Sequence, residues 1–266
     1  MGDILISADV TGLYTVIDHE EGVQAVVEAL NERSPSEKQK MPTLHIKNLT
    51  SLILKSNCFS FLNKFYHQVT GTAMGTPMAP GYANIFMGKT EEQLLNDYEK
   101  STGLRPKIWL RYLDDIFFVW MHGEENLRNF MQFMQDFSKS RNMKTELKFT
   151  FEMGSKVAFL DTNVTISDKG ELITSLYSKP TDAHLYLRMD SCHPKSCKKG
   201  LVKGELLRAR RICTRDQDFK ESASKMKGYF MERGFSKEDI EKSIDEVSKT
   251  PREETLIYKE KEKTNR

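Results

Sequence analysis

The most informative stretch of the chain is residues 108–120, which read IWLRYLDDIFFVW. Two apolar runs, 108–112 and 116–120, flank Leu113-Asp114-Asp115, and this pattern predicts a tight β-hairpin. Adjacent aspartates between buried strands repel each other and lose hydration unless a cation or several donors offset their charge. An exposed Asp-Asp turn is the ordinary structural explanation of the pair, so the hairpin alone leaves its role open.

A third carboxylate changes this balance. Asp9 ends the strand-like run 3–9, where a lone aspartate would be a turn or cap residue. Three carboxylates on two strands could instead converge on a pair of magnesium ions, because hard divalent cations take oxygen ligands. Two such ions can stabilise the attacking and leaving oxygens of a phosphoryl transfer. Together, Asp9, Asp114 and Asp115 therefore favour a metal-dependent site.

Composition excludes several classes of protein. The chain has 266 residues, 40 basic against 38 acidic side chains, 15 Phe and 9 Tyr, which is enough apolar material for a core and too much for a disordered tail. No run approaches the about 18 to 20 apolar residues of a membrane span, and the N-terminus lacks a signal-peptide pattern. We therefore expect an intracellular protein without a membrane partner.

Four cysteines are too few and too unevenly placed for a disulfide framework, which predicts a reducing compartment. Cys192, Cys197 and Cys213, with His184 and His193, include the ligand types of a zinc site. Because no paired C-x-x-C spacing is present, reduced thiols are favoured over a metal centre.

Charge is concentrated in one segment. Residues 185–215 hold nine basic and two acidic side chains, a net of +7, whereas residues 1–184 carry a net charge of −4. Such a block is either a solvated helix face or a surface that follows a phosphate backbone. Composition leaves both explanations open.

The remaining pattern is that of an α+β protein. Helices are predicted over 20–31, 44–56, 82–99 and 124–138, a hairpin over 59–66, and strands over 3–9, 147–152, 157–166 and 172–177. After Lys179-Pro180 the chain is predicted to be helical, with a buried stripe at Phe219, Ala223, Met226 and Phe230, a stop at Gly234 and a cap at Ser236.

Three segments occur in the order of the palm motifs A, B and C of reverse transcriptases. They are Asp9-x4-Tyr14, Met74-Gly75-Thr76-Pro77-Met78-Ala79-Pro80 and Tyr112-Leu113-Asp114-Asp115. The sequence over about residues 3 to 250 resembles the reverse transcriptases of Penelope-like retroelements. At the position of Met74 these enzymes also have Met, whereas other reverse transcriptases often have Gln. The shared segments are Gly71-Thr72-Ala73-Met74-Gly75-Thr76, Tyr82-Ala83-Asn84, Phe159-Leu160-Asp161, Tyr177-x-Lys179-Pro180-Thr181-Asp182, Ser191-x-His193-Pro194 and Arg211-Ile212-Cys213.

This resemblance implies a polymerase palm over 1–178, an antiparallel sheet packed on helices with a remnant of the fingers. A helical thumb-side extension with a helix-turn-helix-like pair would occupy 179–250, and a polar tail 251–266. Because most of the fingers precede motif A in the family, we expect an N-terminally truncated reverse transcriptase. No GIY-YIG endonuclease segment is expected within the chain.

The resemblance also assigns the site. Asp9, Asp114 and Asp115 would hold two Mg²⁺ ions, with Mn²⁺ as an alternative, for attack of a primer 3′-hydroxyl on a deoxynucleoside triphosphate. Lys148 would protonate the pyrophosphate, with Lys144 as a competitor. The nucleotide would contact the backbone of Val10, Thr11, Gly12 and Leu13, the steric gate Tyr14, and the loop Gly75, Thr76 and Pro77. Gln68 would either reach the nucleotide or be a satisfied loop amide.

The basic block would bind the primer–template duplex through Lys198, Lys199, Lys203, Arg208, Arg210 and Arg211. The implied partners are an RNA template, a DNA primer and deoxynucleoside triphosphates, with no small-molecule cofactor, and the implied location is the nucleus. Alternatives from other classes are an inactive relic that at most binds nucleic acid, a binding module over 181–250, and a metal-dependent nuclease. The nuclease would need neither the Tyr14 gate nor the loop 75–77.

Overall fold

The computed structural model describes residues 2–37 and 40–257, and the chain divides into two compact units, Met1–Gly154 and Ser155–Arg266. The expected boundary between palm and extension, 178/179, lies further along the chain, so the last strands of the expected palm range fall in the second unit. The functional division of the chain stays a prediction. Most of the polar tail, from residue 258 onward, lies outside the described residues.

The first unit contains six strands and five helices within the described residues. They are β1 (Ile4–Val10), α1 (Leu13–Val16), α2 (His19–Asn31), α3 (Thr43–Lys55), β2 (Cys58–Phe61), β3 (Lys64–His67), α4 (Ala79–Thr102), β4 (Ile108–Tyr112), β5 (Asp115–Trp120), α5 (Glu124–Ser140) and β6 (Phe149–Gly154). A short 3-10 turn spans Pro35–Glu37.

Four strands form an antiparallel sheet in the order β4-β5-β1-β6, which makes β5 and β1 its central strands. Successive side chains on a strand point to opposite faces. Ile6, Ala8 and Val10 of β1, with Phe118 and Trp120 of β5, belong to the core formed with helices α2, α4 and α5. Asp9 and the residues in register with it therefore face away from these helices.

The second unit has its own sheet and its own core. Its elements are β7 (Lys156–Phe159), β8 (Thr162–Ile166), β9 (Leu172–Leu176), α6 (Lys195–Ile212), α7 (Asp216–Glu232), α8 (Lys237–Ser248) and α9 (Arg252–Leu256). The predicted stripe Phe219, Ala223, Met226 and Phe230 is buried between the helices. Gly234 has a positive φ of 83° just after α7, and the Ser236 side chain accepts a hydrogen bond from the Asp239 amide, as the capping pattern predicts.

Three segments differ from the sequence expectation. The chain after Lys179-Pro180 is not helical at once, as predicted, but stays irregular until α6 begins at Lys195. The strand predicted over 157–166 is a hairpin, β7–β8, because the backbone turns at Leu160, whose φ is 53°. The pattern conceals this turn, since leucine rarely adopts left-handed backbone angles. Helix α4 begins at Ala79 rather than Tyr82, with Pro80 in its first turn, where a missing amide hydrogen costs nothing.

Among the described residues, no helix combines the length and the apolar composition that crossing a membrane requires.

Candidate active site

The three predicted carboxylates lie at adjacent ends of the two central strands. Asp9 on β1 is the register partner of Asp115 on β5. The Val10 amide donates to the Asp114 carbonyl at 3.1 Å, which ties the β4–β5 turn to the end of β1. Because Ala8, Val10 and Ile116 are buried in the core, Asp9 and Asp115 face the side of the sheet opposite the helices.

These side chains fit a divalent metal by donor type. Carboxylate oxygens on neighbouring strands suit Mg²⁺, which is usually held by one or two carboxylates while water and substrate phosphates supply its other ligands. Within the described ranges, no three or more His, Cys, Asp or Glu side chains form a ready metal-binding cluster. The arrangement is therefore an open carboxylate edge rather than a closed cage.

Arg111 ties the carboxylate turn to helix α4, a link that the sequence pattern did not reveal. One terminal nitrogen of its guanidinium donates both to the Leu113 carbonyl at 3.0 Å and to the Asn84 side chain at 2.8 Å. Arg111 also forms an ion pair with Glu91 at 2.8 Å, and Glu91 accepts from the Trp109 indole at 2.7 Å. A lone arginine within an otherwise apolar strand is the signal that could have identified this link.

The turn after β1 uses some of its amides within the protein. The Val10 amide is bonded to Asp114, and the Thr11 amide donates to the Lys148 carbonyl at 2.9 Å. Gly12, with a φ of 63°, then starts the short helix α1. In the part of the chain that is described, the amides of Gly12 and Leu13 donate to no backbone carbonyl. The Val10 and Thr11 amides are therefore already used within the protein, and the expected amide contact with a triphosphate stays a prediction.

Tyr14 lies beside the carboxylates and is partly buried. Burial raises the pKa of its hydroxyl, and the nearby charge of Asp114 and the Tyr112 side chain raise this pKa further. The role of Tyr14 as a steric gate stays a prediction.

Gly71 and Thr72 fix the backbone around this tyrosine. The sequence showed them only as part of a segment shared with the family and predicted no structural role for them. The Thr72 amide donates to the Tyr14 carbonyl at 2.6 Å, and the Gly71 amide donates to the Ile17 carbonyl at 3.0 Å. Gly71 has a φ of 72°, and a Cβ atom there would lie 2.4 Å from the Tyr14 carbonyl oxygen. The Nε2 atom of His19 lies 2.8 Å from the Gly71 carbonyl oxygen and adds a hydrogen bond between helix α2 and this segment.

The loop of motif B is open at its tip. Gly75 has a φ of 93°, with space around the position of a Cβ atom, and Pro77 is exposed. The Thr76 hydroxyl donates to the Ala73 carbonyl at 3.2 Å. The Gln68 side chain, by contrast, accepts from Asn57 and donates to the Thr70 carbonyl at 3.0 Å, which agrees with the alternative of a satisfied loop amide.

The two candidate lysines have different surroundings. Lys148 is joined to the turn after β1 through its carbonyl, and its Nζ lies 3.5 Å from Glu146. Lys144 is held at helix α2, where its amide donates to Glu21 and its ammonium pairs with Glu20, a hydrogen bond that raises the pKa of Lys144. Of the two, Lys148 is the one whose backbone contacts the segment that carries Asp9.

The six basic residues predicted to bind nucleic acid fall into two groups. Lys198 and Arg210 are buried, because Lys198 donates to the Met189 and Ser191 carbonyls and Arg210 bonds to Asp216 and the Thr250 carbonyl. The other four are at least partly exposed: Lys199, Lys203, Arg208 and Arg211. Residue type alone could not separate these groups, since a long basic side chain can be buried along its stem.

The cysteines are all free in this structure. Cys192 and Cys197 are exposed, whereas Cys213 is buried in the core of the second unit, where burial raises the pKa of its thiol.

An antiparallel sheet with helices on one face and carboxylates at the ends of its central strands is the palm of a nucleic-acid polymerase. The chain belongs to the reverse transcriptase family, because the family model described as reverse transcriptase (RNA-dependent DNA polymerase) matches residues 2–164. The family model described as animal helix-turn-helix domain matches residues 185–245. The predicted fold class and the enzyme class, RNA-directed DNA polymerase by family, are confirmed.

Solved structures share the fold at low sequence identity. Telomerase from Candida albicans, in complex with a TWJ fragment of telomeric RNA, has a TM-score of 0.58 and 8% identity, over 94% of this chain and 41% of that one. Apo telomerase from Candida tropicalis has a TM-score of 0.52 and 11% identity, over 93% of this chain and 42% of that one. The chain therefore spans about two fifths of the length of these telomerases. The comparison with curated proteins finds no significant match.

Proposed function

We propose that this chain catalyses RNA-templated DNA synthesis as the reverse transcriptase of a Penelope-like retroelement. The observation that carries the proposal is the pairing of Asp9 with Asp115 at the ends of the central strands, with Asp114 in the turn bonded to Val10. The family match and the motif phrases support the polymerase and the Penelope-like subtype, respectively. A retroelement enzyme of this kind would act in the nucleus.

In this proposal Asp9, Asp114 and Asp115 hold two magnesium ions, with manganese as an alternative. When bound, the ions would acidify the primer 3′-hydroxyl and offset the charge of the pyrophosphate leaving group. The Gly12 and Leu13 amides would donate to the triphosphate. Lys148 would give a proton from its Nζ to the pyrophosphate.

The proposed partners are an RNA template, a DNA primer and deoxynucleoside triphosphates. The loop Gly75-Thr76-Pro77 would lie beside the templating base pair, where a glycine lets the backbone approach a nucleotide closely. The range 1–178 would act as the palm, and 179–250 as a nucleic-acid-binding extension. The match of residues 185–245 to an animal helix-turn-helix model supports the role of the extension.

The direct test is extension of a DNA primer annealed to an RNA template, with Mg²⁺ and the four deoxynucleoside triphosphates. We expect full-length DNA product that depends on the template. Binding of the primer–template without any extension would instead support the alternative, an inactive relic that acts only as a nucleic-acid-binding module.

Tyr14→Ala should relax the choice of sugar. If the ring lies beneath the sugar of the incoming nucleotide, its removal opens space for a 2′-hydroxyl. Ribonucleotide incorporation relative to deoxyribonucleotide incorporation should then rise by about 10- to 100-fold, as expected for a steric difference of about 1 to 3 kcal/mol. Single-nucleotide extension with matched ATP and dATP measures this ratio, and Tyr14→Phe, which keeps the ring, is the control. An unchanged ratio in Tyr14→Ala would refute the gate.

Lys199→Ala should weaken binding of primer–template duplex and lower its salt dependence. Lys199 is exposed on α6, whereas Lys203 on the same helix pairs with Glu246. Loss of one phosphate contact should reduce the slope of log K against log salt by about 1. Lys198→Ala on the neighbouring residue is the matched comparison, because its buried ammonium bonds two carbonyls and its loss should lower the thermal stability without that change of slope. Equal salt slopes for wild type and Lys199→Ala would mean that Lys199 contacts no phosphate and that this part of α6 is only a solvated surface.

A further inference from the structure

The hairpin β2–β3, between motifs A and B, presents an aromatic face that the proposed chemistry does not use. Phe59 is the register partner of Tyr66, and Phe61 is the partner of Lys64, so these four side chains share one face. Phe59, Phe61 and Tyr66 are 51%, 61% and 42% exposed. The Phe59 and Tyr66 rings are stacked, with centroids 5.5 Å apart and planes 18° from parallel.

The hairpin is held as a defined element at the end of α3. The Nε2 atom of the His67 ring lies 2.7 Å from the Lys55 carbonyl oxygen, and the backbone amide of Gln68 donates to the Asn57 carbonyl at 2.9 Å. Its turn residues, Leu62 and Asn63, have φ values of 48° and 59°, the angles of a tight two-residue hairpin turn. Leucine rarely adopts this conformation, and such strain is concentrated at functional sites.

The charge of the surrounding segment indicates which class of ligand this face binds. No Asp or Glu occurs from residue 38 to residue 90, although the chain contains 38 acidic residues. The hairpin and the preceding helix carry Lys47, Lys55 and Lys64. A face that combines exposed flat rings with Lys64, in a segment without acidic residues, complements a polyanion with unpaired bases, because the bases stack on the rings and the phosphates meet the lysine.

We propose that the face formed by Phe59, Phe61, Lys64 and Tyr66 binds single-stranded RNA by base stacking. The presence of this platform is independent of catalysis. Only the choice of RNA rather than DNA rests on the proposed function, in which the strand still to be copied is unpaired RNA. Stacking on aromatic side chains tolerates any base, as a template-binding surface must.

The test measures the affinity of a short labelled single-stranded RNA by fluorescence anisotropy, in the full chain carrying Asp114→Asn and without nucleotides. Phe61→Ala should raise the Kd for this RNA by about 5- to 100-fold, the range for the loss of one base–aromatic stack. Phe61 is the ring to remove because it lies outside the Phe59–Tyr66 stack, and Phe61→Trp should retain binding. Phe65→Ala is the matched control, since Phe65 is on the opposite face of the same hairpin and is 87% exposed.

Unchanged RNA affinity in Phe61→Ala, or an equal loss in Phe65→Ala, would overturn the proposal. Sedimentation of the same variants tests the competing occupant, because a dimer that dissociates in Phe61→Ala without loss of RNA affinity would make this face an interface between two copies. Equal affinity for single-stranded DNA of the same sequence would overturn the choice of RNA. Absence of primer extension by the wild-type chain would refute the proposed polymerase function. It would leave this binding measurement intact, so the two failures are distinguishable.

Discussion

Asp114→Asn should abolish primer extension on an RNA template while the protein stays folded. The substitution removes one negative charge from the carboxylate edge but keeps the size of the side chain. The hydrogen bond that Asp114 accepts from the Val10 amide is made by its backbone and is unaffected. Because metal ions stabilise the transition state of such a transfer by several kcal/mol, the extension rate should fall by at least about 1,000-fold.

Single-turnover extension measures the rate, and thermal unfolding measures the fold. Asp136→Asn is the matched control: Asp136 lies on α5 of the same unit, where it accepts a hydrogen bond from Gln132 at 2.6 Å. This control should extend primers at the wild-type rate. Retained extension in Asp114→Asn would remove Asp114 from the proposed site. Loss of extension together with a large fall in the melting temperature would mean that the residue supports the fold instead.

The parts of this site that the sequence predicts are local. Alternation and turn chemistry are enough to place the hairpin around Asp114 and Asp115 and the strand that ends near Asp9. The register that sets Asp9 opposite Asp115 joins two distant segments. No register was predicted, because strand pairing between distant segments has no local signature; the carboxylates were expected only to converge.

The parts that the sequence does not predict depend on tertiary surroundings. Lys198 and Lys199 are neighbours of the same residue type, yet one is buried against carbonyl groups and the other is exposed. The structural role of Arg111 likewise depends on helix α4, which supplies both Asn84 and Glu91. In both cases the residue type gives the available chemistry, and only packing decides whether that chemistry faces the solvent or the protein.

Gly71→Ala should be among the most damaging single substitutions in the first unit. The residue has a φ of 72°, which costs a side-chain-bearing residue about 1 to 2 kcal/mol. A Cβ atom would also lie 2.4 Å from the Tyr14 carbonyl oxygen and 2.6 Å from the Thr15 Cα. These are backbone atoms that cannot rotate away, so the two segments must separate, and the total loss of stability should be about 3 kcal/mol or more.

Gly75→Ala separates the two causes. Gly75 also has a positive φ, 93°, but nothing lies within 4 Å of the place that a Cβ atom would take, so only the backbone strain applies there. Its loss of stability should be about 1 to 2 kcal/mol, measured by denaturant unfolding of both variants. The difference between the variants is then the cost of forcing residue 71 away from Tyr14. Equal losses would mean that this contact contributes nothing, and Gly71 would have no part in holding the proposed gate in place.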